Sequence, residues 1–108
     1  MSLYKFIEII EESGKGAQSY QECLREARRQ LSASSQNAAS YFILASVAEK
    51  FVDTFYDQPL LSQTADEQYD NFKDYVIRLS KAEETGDASI ILDALNKVSY
   101  DVEKNKRR

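Results

Sequence analysis

No histidine occurs among the 108 residues. The commonest general base, the commonest metal ligand and the side chain that titrates near neutral pH are therefore all missing. A Ser-His-Asp triad, a Cys-His pair and the Glu-x-x-His di-iron motif are excluded. Cysteine is nearly as scarce: Cys23 stands alone. It cannot form an internal disulfide, and no zinc site of thiolates or imidazoles can be assembled. Glycine occurs three times. The segment Gly14-Lys15-Gly16 has neither the length nor the following hydroxyl of a phosphate-binding loop. No run approaches the ~18 uncharged apolar residues of a membrane span. The opening MSLYKFIEIIEESG has acids within its apolar stretch and no basic region before it, unlike a secretory signal. Together with the lone thiol, this points to the cytoplasm and away from a membrane partner.

What is present favours helix. Proline occurs once, so breakers are few, while Ala, Glu, Lys, Gln and Leu are plentiful. Hydrophobic residues make up 43% of the chain, enough for one core in a chain of this size. The net charge of −4 is unevenly placed. Residues 49–87 hold ten acids and four bases, whereas residues 88–108 hold three acids and five bases. An acidic middle repels phosphate, so nucleic acid is not expected as the main partner.

The most apolar segment is YFILASVAEKFVDTFY, residues 41–56, in which only Glu49, Lys50 and Asp53 are charged. A helix apolar on most sides has to be surrounded by its own chain or by a partner. It forms the centre of an expected helix over 36–56, with Ser34 or Ser35 as N-cap and Pro59 setting its end. A first helix is predicted over 2–13, with Leu3, Phe6, Ile9 and Ile10 on one face. A second begins at a capping box of Ser19 and Glu22 and carries Tyr20, Leu24, Ala27 and Leu31. A fourth is predicted over 65–82 behind a second capping box, Thr64 and Glu67. Its stripe is Tyr69, Phe72, Val76 and Leu79, with Tyr75 off to one side. Asp87 should cap a fifth over 88–103, with Ile91, Ala94, Leu95, Val98 and Val102 on its inner face. The expected fold is all-α: an antiparallel bundle of four to five helices around the central helix 36–56. Residues 1–103 form one domain, and residues 104–108 a basic, frayed C-terminal tail.

Two acidic columns stand out. Glu49, Asp53 and Asp57 recur every fourth residue, as do Asp66, Asp70 and Asp74. Like charges one turn apart cost a few tenths of a kcal/mol per pair. Each column is either a solvated face or a docking surface for a basic partner. Around the bend at Pro59 lie Phe55, Tyr56, Leu60 and Leu61. Aromatic and aliphatic groups beside acids have the composition of a binding hot spot, and equally of a helix end tucked against its neighbours. The candidate interface is therefore Asp53, Phe55, Tyr56, Asp57, Leu60, Leu61, Asp66, Asp70 and Asp74. No catalytic, metal-binding or cofactor-binding residue is expected.

The main functional expectation is a non-enzymatic helical protein that acts through another protein, as a regulator, adaptor or inhibitor, with a homodimer through the third helix as one form. In size, acidity and helical build the chain resembles small bacterial or phage inhibitors, toxin-immunity proteins among them. The alternative is a carboxylate-based, magnesium-dependent enzyme. Glu8 and Glu11 sit one turn apart, and so do Glu67 and Asp70. Over these four residues the chain distantly resembles the paired-acid motifs of helical nucleotide pyrophosphatases of the MazG type, which hold their two pairs much closer in sequence. A second alternative is weak nucleic-acid binding through Arg25, Arg28, Arg29 and the tail.

Overall fold

Five helices account for most of the chain: α1 (Lys5–Ser13), α2 (Ala17–Ala33), α3 (Ala38–Phe55), α4 (Ser62–Thr85) and α5 (Ala88–Asn105). The computed structural model describes residues 2–105. The described residues contain no strand, and the helices pack on one another as an all-α bundle. Connections of two to six residues favour neighbours that run antiparallel. The tie between Ser40 near the start of α3 and Glu83 near the end of α4 (2.9 Å) fits that arrangement. So does the pair Arg78 and Asp101 (2.7 Å) between α4 and α5.

The core is largely aromatic, and its rings come from the first four helices. Tyr20 of α2 stacks on Phe51 of α3, with ring centroids 3.8 Å apart, and meets Phe72 of α4 edge-on at 5.3 Å. Phe6 of α1 stands edge-on to both Tyr41 and Phe72. Offset and edge-to-face contacts place positive ring edges against negative faces, and each adds about 1 kcal/mol beyond the burial of the rings. The expected stripe Tyr69, Phe72, Val76 and Leu79 is buried throughout. Tyr75, expected beside the stripe, is buried as well. In α5 only Val98 is fully buried, so this helix is a flanking member rather than an equal one. The central helix contributes Ser40, Tyr41, Leu44, Ala45, Ala48 and Phe51 to the interior but leaves Phe42 65% exposed.

Several boundaries differ from those predicted. Residues 2–4 form a turn closed by Lys5 N–H donating to the Ser2 carbonyl, so α1 starts later. Neither capping box forms. Gly16, in extended backbone, precedes α2, and the helix former Ala17 starts it two residues before Ser19. Ser19 thus lies inside the first turn, buried. Thr64 is likewise already helical, because α4 starts at Ser62 behind the extended Leu61. Its neighbour Gln63 donates to Glu67 instead. Before α3, the Ser34 hydroxyl accepts from Gln36 N–H in a turn, and left-handed Asn37 (φ 59°) takes the N-cap place. Asp87 does cap α5, its Oδ1 accepting from Ser89 N–H at 2.9 Å and Ile90 N–H at 3.3 Å. α5 continues to Asn105, two residues into the expected tail. The rest of that tail, residues 106–108, lies outside the described residues.

Candidate functional site

The nine candidate interface residues fall into two groups. The first surrounds the connection between α3 and α4. Phe55 is half-buried against Phe51, their centroids 4.8 Å apart, and Leu60 packs partly onto the core. Tyr56 and Leu61 turn outward, 63% and 72% exposed. Asp53 and Asp57 are exposed and make no ion pair with a described residue. The second group, on α4, is partly neutralised. Asp66 receives Lys15 at 2.8 Å, and Asp74 receives Arg78 at 3.0 Å. Asp70 adds to the negative field on Lys15. Each column is thus partly neutralised, Glu49 by Arg28 and Asp66 and Asp74 by Lys15 and Arg78, while Asp53 and Asp57 face solvent with no cation on them among the described residues.

Lys15 is the centre of a polar staple between the α1–α2 turn and α4. Its hydrogen bond to Asp66 holds its pKa above the usual value. Its ammonium also lies 5.1 Å from the centroid of the Tyr69 ring, a cation–π contact. The Tyr69 hydroxyl donates to Glu11 at 2.6 Å, and burial, followed by that carboxylate, raises the phenol's pKa. Three of the four acids of the pyrophosphatase-like pairs thus have separate partners. Glu8 lies 3.9 Å from Lys5, Glu11 accepts the hydrogen bond of the Tyr69 hydroxyl, and Glu67 accepts from Gln63. Among the described residues, no group of three or more His, Cys, Asp and Glu is arranged to hold a metal ion.

The basic face of α2 is largely paired. Arg28 meets Glu49 of α3 at 2.5 Å, and Arg29 meets Glu26 within its own helix at 2.5 Å. Cys23 is buried and donates to the Phe6 carbonyl at 3.7 Å. Burial pushes its thiol up to about 12, which keeps it in the unreactive protonated form.

A groove not anticipated from the sequence lies where α3, α4 and the end of α5 meet. Its volume is about 270 Å³. Val47, Phe51, Phe55 and Val102 supply apolar wall, and Lys50, Thr54, Gln68, Asn71, Tyr75 and Asn105 supply polar atoms. Asn105 donates to the Tyr75 hydroxyl, and burial raises the pKa of that phenol. Only Phe55 belongs both to this groove and to the candidate interface. The sequence signal was present but faint: Gln68, Asn71 and Tyr75 share one edge of α4 at spacings of three and four, beside the apolar stripe that drew the assignment.

Comparisons with protein-family models, with curated proteins and with solved structures find no match. No helix among the described residues is long and apolar enough to cross a membrane.

Proposed function

We propose that the protein is a non-enzymatic regulator, adaptor or inhibitor that binds another protein through the bend between α3 and α4. The observation that carries this reading is the exposure of Tyr56 and Leu61 beside Asp53 and Asp57, which lack cationic partners among the described residues. Large apolar side chains held out in water at a helix connection gain by being covered. Tyrosine is a frequent anchor of such contacts, since it offers much surface for little lost rotamer freedom. Unneutralised acids nearby favour a partner with lysine or arginine around an apolar pocket, and they speed encounter. The acids of α4 contribute less, because Lys15 and Arg78 already occupy Asp66 and Asp74. A homodimer through the third helix is another form of this reading.

Sedimentation of the full chain, followed by affinity capture with the immobilised protein from host extract, tests the proposal. Tyr56→Ala should weaken a saturable interaction, with itself or with one captured protein, by about 2 kcal/mol, roughly thirtyfold in affinity. Circular dichroism should be unchanged, because Tyr56 lies outside the core. An interaction indifferent to Tyr56→Ala and Leu61→Ala would place the binding surface elsewhere.

A further inference from the structure

We infer that the groove between α3, α4 and the end of α5 binds a small amphipathic carboxylate, an apolar body of aromatic-ring size carrying one negative charge. This site is separate from the protein-binding bend, with which it shares only Phe55. The first argument is chemical selectivity in the lining. The acidic middle of the chain, residues 49–87, holds ten acids and supplies seven of the ten described residues lining the groove, yet none of the ten is Asp or Glu. Lys50 is the one charged residue among the described lining residues, and it makes no ion pair with a described residue. A cationic ligand would find repulsion and no counter-charge. Among the described residues a dianion such as a phosphate monoester would find one cation, where two or more charged donors are usual.

The second argument is the unused hydrogen-bonding capacity around that charge. The Tyr75 hydroxyl accepts from Asn105, and its own O–H remains available to donate. Gln68 and Asn71 make no side-chain hydrogen bond with a described residue. Each offers an amide N–H₂. A carboxylate accepts at both oxygens and can engage an ammonium, a phenol and an amide together. The third argument is shape. Phe51 and Phe55 are tilted by 51°, and with Val47 and Val102 they supply the apolar lining of the same groove. At about 270 Å³ the groove falls just below the ~300–1,000 Å³ usual for ligand pockets. That suits a ligand of one ring and a short acid arm.

The test is an NMR titration of the full chain with 3-phenylpropionate, run in parallel with its neutral amide and with 2-phenylethylamine. Saturable amide shifts confined to residues 47–55, 68–75 and 102–105 are expected for the carboxylate, with a Kd of about 1 mM or tighter. The amide should bind at least about tenfold more weakly, and the amine should not bind. Lys50→Gln, an exposed and structurally safe change, should erase the preference for carboxylate over amide. No saturable shift up to about 10 mM carboxylate overturns the inference. So do equal affinities for carboxylate and amide, shifts scattered over the whole surface, or a Lys50→Gln protein that still prefers the acid.

Discussion

Among the described residues Tyr20 is the largest fully buried side chain, yet its hydroxyl has no hydrogen-bond partner there. Its ring gains the stacking on Phe51 and the edge contact with Phe72, while the oxygen loses its water. Leaving one such group unsatisfied costs about 1–3 kcal/mol. Tyr20→Phe keeps the ring and removes the orphan, so stability should rise by about 1 kcal/mol, read as a higher urea midpoint at unchanged slope. A lower midpoint would mean that the hydroxyl has a stabilising partner. Cys23 gives a second residue-level test. Its thiol titrates near the ordinary 9.0 in the unfolded chain and at about 12 when folded. Between those values the folded state keeps a proton that the unfolded state has released. The associated stability is complete below pH 9 and is lost as pH rises toward 12, at about 1.4 kcal/mol per pH unit. Cys23→Ala should flatten the decline in stability above pH 9 by that amount; an unchanged slope would contradict burial as the cause.

At the scale of elements, periodicity carried most of the information, and side-chain caps carried little. The stripes in α1, α4 and α5 could be read because burial needs apolar groups every three or four residues, whatever happens at the ends. The capping boxes Ser19–Glu22 and Thr64–Glu67 misled because each motif also fits inside a helix, where Ser and Thr are tolerated. Asp87 succeeded because Gly86 stops the preceding helix just before it. Gly86 has φ +65°, a left-handed conformation that closes α4 through its N–H to the Glu83 carbonyl. No atom lies within 4 Å of where a Cβ would be, so Gly86→Ala should cost only the backbone strain, about 1 kcal/mol. Gly86→Asn should lose less than Gly86→Ala, since asparagine enters this region more readily. Equal losses in the two variants would argue against conformational strain.

At the scale of the whole molecule, the all-α bundle and the apolar third helix could be read from the sequence, but the division of labour among the helices could not. Sequence shows which face of α5 is apolar; it does not show that only Val98 reaches the fully buried interior. The groove was hidden for a related reason. Its polar atoms come from three helices, and no single stretch contains enough of them to form a pattern. The candidate interface was partly visible. Phe55, Tyr56, Leu60 and Leu61 are adjacent in sequence, but which of them point outward depends on the course of the chain through Pro59. Of the cations on α4, Arg78 lies one turn beyond Asp74 and is local in sequence, whereas the pairing of Asp66 depends on Lys15, which is distant in sequence from α4.

The most direct test of the central claim is site-specific photo-cross-linking in host cells, with a photoreactive residue replacing Leu61 in one variant and Leu92 in another. Both side chains are well exposed, at 72% and 59%, but only Leu61 lies at the bend. Binding through the bend predicts one discrete adduct from position 61 that disappears when Tyr56→Ala is added, and none of comparable yield from position 92. An adduct of twice the chain mass would identify a second copy as the partner. No adduct at 61, or equal adducts at both positions, would contradict the account.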